Sequence, residues 1–174
     1  RHPVCTERFK RIEKALVHDG VLQVGDIWRT GPLPERRLRR VHTGGYLRSL
    51  RSSEALRKAL SLPAGAVPDE GGIEERLLRP ARTGVAATML AAELALEHGT
   101  GIHLGGGFHH AGPAHGGGFC LYADIPMAVD HVREAGFEGT VLVVDTDAHQ
   151  GDGTHRFFRG DPRAFSFSLH EDGV

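Results

Sequence analysis

Residues 140–144, Thr140-Val141-Leu142-Val143-Val144, are β-branched or aliphatic throughout, and the run ends in Asp145-Thr146-Asp147-Ala148-His149. If the backbone stays extended, alternation sends Asp145, Asp147 and His149 to one side. A carboxylate oxygen beside an imidazole nitrogen suits a catalytic zinc, which takes three protein ligands and leaves one position for water. The same residues could instead be polar groups capping a strand end, and the motif by itself leaves both readings open.

A second cluster lies upstream: Gly105-Gly106-Gly107-Phe108-His109-His110, then Gly116-Gly117-Gly118-Phe119-Cys120. Adjacent side chains point different ways in any regular backbone, so twin histidines seldom serve one structural purpose. Flanking glycines let the chain approach a ligand and adopt positive φ. A surface loop with incidental histidines is the plainer alternative, weakened by the acidic strand end nearby in sequence. Two imidazoles also need carboxylate partners to fix their tautomers, and Asp145 and Asp152 are available.

Elements of regular structure must position these groups. Phe9, Ile12 and Leu16 recur at helical spacing before Gly20, a helix stop. A turn at Gly31-Pro32-Leu33-Pro34 precedes a charged helix from Glu35, which His42-Thr43-Gly44-Gly45 breaks. Residues 46–60 read as helix interrupted near Ser52-Ser53, and 61–72 as a long mobile loop. Residues 81–98, rich in Ala and Leu between Pro80 and Gly99, are expected to be helical, as are 124–135 up to Gly136. Strands are expected at 101–104, 140–145 and 164–169. Helices alternating with short apolar strands give an α/β class: a parallel sheet with helices on both faces and ligands beyond the carboxyl ends of its strands. No internal repeat or low-complexity segment interrupts the chain, which reads as a single domain over residues 1–174.

Composition narrows the function classes. With 40% hydrophobic and 25% charged residues, the 174-residue chain resembles a soluble globular protein rather than a disordered one. Lys plus Arg (21) nearly balances Asp plus Glu (22), so direct nucleic-acid binding is not expected. The run Arg36, Arg37, Arg39 and Arg40 is either a solvated helix face or a docking patch for something acidic. Two cysteines, Cys5 and Cys120, fit a reducing compartment, and no apolar stretch would span a bilayer. A cytoplasmic location is the expectation. The start, Arg1-His2-Pro3, resembles neither a signal peptide nor an initiation site, so further sequence is expected ahead of it.

Taken together, Gly107-Phe108-His109-His110-Ala111, Gly118-Phe119-Cys120, Val144-Asp145-Thr146-Asp147-Ala148-His149-Gln150-Gly151-Asp152-Gly153-Thr154 and Ser168-Leu169-His170 resemble the successive signatures of the histone deacetylase superfamily. Gln150, and Leu78-Arg79-Pro80-Ala81-Arg82-Thr83, are most similar to its class IV branch. His42-Thr43 through Tyr46-Leu47 match a weaker upstream signal. The resemblance implies an arginase/deacetylase-like fold and zinc-dependent hydrolysis of an acylated lysine amide, with zinc or another divalent metal held by Asp147 and His149. It further implies that His109 and His110 flank the attacking water, paired with Asp145 and Asp152 respectively, His110 being the general base. Gly107, Gly118 and Phe119 would line a substrate channel with Cys120 near its floor, unless Cys120 is simply a small buried hydrophobe. Asp145, Asp147, His149, Ser168 and Leu169 would hold a structural potassium, largely through oxygens. The family pattern also calls for a second zinc-ligating Asp and a transition-state Tyr downstream of Ser168-Leu169, and neither Tyr46 nor Tyr122 stands at that motif position. The chain is therefore expected to be an N-terminal part of the domain, its sheet incomplete at the C-terminal side, weak in zinc binding and in turnover by itself. Two other functions fit the residues: deacetylation of a small amide such as an acetylpolyamine, and a non-catalytic remnant that binds a partner.

Overall fold

In a computed structural model, residues 8–63, 66–67 and 70–172 are described. They fall into two compact units, divided after Thr30. In the first, α1 (Arg8–His18) is the helix expected from Phe9, Ile12 and Leu16, and Gly20 takes φ 71° just beyond it. A short 3-10 turn, Val24–Asp26, follows, and Glu13 pairs with Arg29 at 2.8 Å.

The second unit, residues 31–174, carries every candidate site residue. Its helices come first: α2 (Glu35–Leu38), α3 (Gly44–Ser49), α4 (Ser53–Ala59), α5 (Glu70–Ile73) and, after a wider turn at Glu74–Leu78, the long α6 (Arg79–His98). The glycines at 44 and 45 begin α3 rather than simply ending α2, because Thr43 caps it: its Oγ1 accepts the Tyr46 N–H at 3.3 Å. The expected loop at 61–72 is shortened by α5, which starts at Glu70; residues 64–65 and 68–69 lie outside the described ones. The unit closes with α7 (Asp124–Glu134), β1 (Val141–Asp145), α8 (Asp152–Phe158) and β2 (Ala164–Ser168).

Leu38, Leu50, Leu56, Val85 and Met127 are inaccessible to water and centre the main core, in which α6 and α7 pack together. Each such side chain contributes roughly 1.5–3 kcal/mol by leaving water. Val129 of α7 and Phe158 of α8 pack on Ala164, Val141 and Val143, which glues the sheet to the helices.

β1 and β2 run parallel, Val141 opposite Ala164 and Asp145 opposite Ser168, with α8 as the crossover that a parallel pair requires. The fold class is thus the expected one. Instead of being buried on both sides, however, the strands alternate: Val143 and Ser166 face the helices, while Leu142, Val144, Phe165 and Phe167 are 64, 57, 55 and 56% exposed. The strand expected at 101–104 is absent. Ile102 there is 77% exposed, and among the described residues no strand pairs with the segment, so its apolar pattern has no ladder to join. No helix among the described residues is long and apolar enough to cross a membrane.

Candidate active site

The strand-end motif reaches its place by a turn. β1 stops at Asp145, whose Oδ1 accepts the Asp147 N–H at 3.0 Å; Asp147 Oδ1 in turn accepts the His149 N–H at 2.8 Å. These local bonds curl the chain away from the extended path that simple alternation assumed. Asp145 and Asp147 nevertheless line one cleft, and His149 stays beside Asp147. His149 Nδ1 lies 3.0 Å from Asp147 Oδ1, and the His149 amide, ahead of its ring, keeps the Asp147 carboxyl below the usual range.

The twin histidines converge too, because residues 109–110 form a turn and not a regular element. Their ring centroids are 4.1 Å apart. His109, 8% exposed, has Nδ1 2.7 Å from Asp145 Oδ2, and its Nε2 comes within 4.0 Å of Asp147 Oδ1. His110 Nδ1 lies 3.0 Å from Asp152 Oδ1, and its ring is 5.9 Å from that of His149. A carboxylate on each Nδ1 fixes that nitrogen as the protonated one and leaves each Nε2 free to accept a proton. α8 comes close enough to hold the pair because of Gly153: a Cβ there would sit 2.5 Å from the Ala111 carbonyl oxygen and 2.7 Å from that of His109. The Thr154 N–H then reaches the His109 carbonyl at 3.0 Å.

Gly118 lies against the His110 ring with φ 50°, and Phe119, 42% exposed with φ 69°, follows it. Gly107 lines a cleft of about 440 Å³ together with His109, Asp145 and Asp147. Cys120 is buried beside Ala111 and Ala123, and burial pushes its thiol up to about 12, so it serves as a small apolar residue. Tyr46 and Tyr122 are buried as well; the Tyr46 hydroxyl donates to the Leu121 carbonyl at 2.7 Å and does not reach the cleft residues. Of the five residues expected around potassium, Asp145 and Ser168 face each other across the ladder, and the Leu169 N–H donates to the Asp145 carbonyl at 2.9 Å.

Asp147 and His149 form a half-exposed oxygen and nitrogen donor pair, Asp147 lining the same cleft as His109, which is the chemistry a zinc ligand set requires. Among the described residues no three His, Cys, Asp or Glu side chains are arranged to hold a metal, so this pair supplies only part of such a set.

Sequence reasoning gave Asp124 no role and placed His42 only in a weaker upstream signal. Asp124 is fully buried and binds the loop amides of Gly107 and Phe108. His42 is 3% exposed; its Nε2 accepts the Ala123 N–H at 3.0 Å, and burial lowers its imidazole to about 4. An acid inside the apolar stretch 119–129 was the available signal for the first.

The histone deacetylase domain model matches residues 2–174. The chain is 37% identical over 173 residues to an uncharacterized protein of Picosynechococcus sp., covering 97% of this chain and 54% of that protein. It is 34% identical over 173 residues to histone deacetylase 2 of Arabidopsis thaliana, covering 99% of this chain and 45% of that one. The crystal structure of a histone deacetylase homologue complexed with SAHA superposes with a TM-score of 0.71 at 22% identity, over 89% of this chain and 42% of that one. The chain spans about half the length of the curated relatives it matches.

Proposed function

The chain belongs to the histone deacetylase family, and on that premise we propose that its protein is a zinc-dependent hydrolase of acylated lysine amides. The observation that carries the proposal is the pair of histidine–aspartate couples, His109–Asp145 and His110–Asp152, beside the donor pair Asp147–His149: Asp147 shares a cleft with His109 and Asp145, and the His149 ring lies 5.9 Å from that of His110.

His110 is the general base. Its ring and its partner Asp152 are the more exposed couple, 22% and 38% against 10% and 15% for His109 and Asp145, so its free Nε2 meets substrate and water. That nitrogen takes a proton from water as the water oxygen attacks the amide carbon. The same proton then passes to the amine nitrogen as the C–N bond breaks, giving a free amine and a carboxylic acid. His109, held more deeply by Asp145, would donate to the developing oxyanion from Nε2 once that nitrogen carries a proton. Asp147 and His149 would hold zinc or another divalent ion, which would supply Lewis-acid polarisation of the amide carbonyl. Gly107, Gly118 and Phe119 border the approach of the acyl-lysine side chain. Asp145, Asp147, His149, Ser168 and Leu169 would hold potassium, largely through oxygens, a reading supported by the Asp145–Ser168 pairing at the strand ends.

The family match runs across both compact units, which supports treating them as one catalytic domain. Within the family, Gln150 and the segment 78–83 favour the class IV branch. Panels of fluorogenic acyl-lysine peptides and acetylpolyamines, run on the full-length protein with and without chelator, test the proposal. Chelator-sensitive release from acyl-lysine supports it. Exclusive turnover of acetylpolyamine moves the substrate to small amides, and no turnover of either, with zinc supplied, leaves a partner-binding role.

A further inference from the structure

Asp124 opens α7 with a side chain that is 0% exposed. An acid in the first turn of a helix ordinarily serves that helix's own unpaired amides. Asp124 instead crosses to the glycine loop. Its Oδ1 accepts the Phe108 N–H at 2.8 Å, and its Oδ2 accepts the Gly107 N–H at 2.8 Å and the Thr88 hydroxyl at 2.6 Å. Thr88 belongs to α6, so one carboxylate ties two helices to the loop. The hydroxyl proton goes to this carboxylate rather than to the Gly84 carbonyl, which is 3.4 Å away. The Thr88 oxygen is then an acceptor for His103 Nδ1 at 2.8 Å, which sets the proton on that nitrogen. The cluster fills the space beneath Gly106. A Cβ at that position would lie 2.6 Å from His103 Nδ1, 2.7 Å from Thr88 Oγ1 and 3.0 Å from Asp124 Oδ2.

The peptide joining Gly107 to Phe108 carries this arrangement to the site. It is one rigid plane. Its N–H end is held by Asp124 Oδ1, and its carbonyl end, from Gly107 at φ 91°, accepts the His109 N–H at 2.9 Å. Rotating that plane therefore turns His109 directly and His110 next to it.

We infer that Asp124, Thr88 and His103 form a positioning relay that aims His109 into the cleft and sets His110 beside it. The inference rests on the deacylase reading for its kinetic consequence, and on the loop geometry alone for its structural one. Thr88→Val keeps the side-chain volume and removes the relay's middle hydroxyl; Thr88→Ser restores it. In the zinc-loaded protein, Thr88→Val is expected to lower kcat roughly 10–100-fold, as misaimed catalytic groups do, with KM changed less than about twofold. Nitrogen NMR of the imidazoles is expected to show the His109 and His110 resonances displaced in Thr88→Val and returned in Thr88→Ser. Asp124→Asn, which puts an amide donor against donors, should displace them at least as far; if it does not fold, the Thr88 pair decides. A lowered melting temperature with kcat and both imidazole signals unchanged would overturn the relay and leave plain packing. If the wild-type protein hydrolyses neither acyl-lysine nor acetylpolyamine, the functional reading fails, and the imidazole signals still decide the positioning.

Discussion

The loop that carries His109 and His110 is held by Asp124 and Asp145, by Asp152, and by the amide of Thr154, whereas the turn that carries Asp147 and His149 is half exposed and its two donors bond chiefly to each other. The first region owes its geometry to partly buried hydrogen bonds made by this chain, so it is preorganised before anything binds. The second presents donors whose position a bound ion would complete. The proposed acid–base groups and the proposed metal ligands thus have opposite supports, and substitutions in the two should fail in different ways.

The largest separation is expected between His110→Ala and His149→Ala. Removing the base should lower kcat about 10²–10⁴-fold while zinc stays bound. Removing the donor should lower activity comparably and lose zinc with it, measured by metal content after dialysis. If both variants keep zinc equally, the division between the two regions is wrong.

Acid should strike the buried support next. His42 is held neutral when folded, its pKa lowered by burial from 6.5 to about 4. Unfolded chain binds that proton at the higher pH, so folding stability is intact above about pH 6.5 and falls as pH drops toward 4. The full loss is on the order of 3 kcal/mol. Thermal melts across this window should show the decline, and His42→Gln, which keeps an acceptor for the Ala123 N–H, should flatten it.

A smaller effect is expected at Asp152, the more exposed of the two carboxylate partners. Asp152→Asn should reduce kcat roughly 10–100-fold, and Asp145→Asn should cost more because the His109–Asp145 couple is deeper. Equal effects would place both histidines in equivalent roles. The least effect belongs to the bare sheet face: Phe165→Thr in this chain should change stability by no more than about 0.5 kcal/mol in denaturant melts, since Phe165 is already 55% exposed.

How much of this was legible beforehand varies with the physics of each segment. β1 could be read because an unbroken β-branched run ends in an acid, and α6 because Pro80 and Gly99 bracket an Ala and Leu stretch. Chemistry made legible that His109 and His110 need carboxylates, with Asp145 and Asp152 available, while the family resemblance implied which takes which. Residues 101–104 were misread because an apolar alternation specifies a strand only when a partner edge exists, and none is present among the described residues. The curl at 146–149 escaped notice because short carboxylates that capture an amide two residues on override alternation. Asp124 was passed over as an ordinary acid at a helix start. Only the fold reveals that it faces a loop 16 residues upstream in the chain.

Anomalous diffraction at the zinc edge from zinc-soaked crystals of the full-length protein addresses the central assignment most directly. The account predicts a peak in contact with both Asp147 and His149, facing His109 and His110. A peak bound elsewhere, with those two side chains still bonded only to each other, would contradict it.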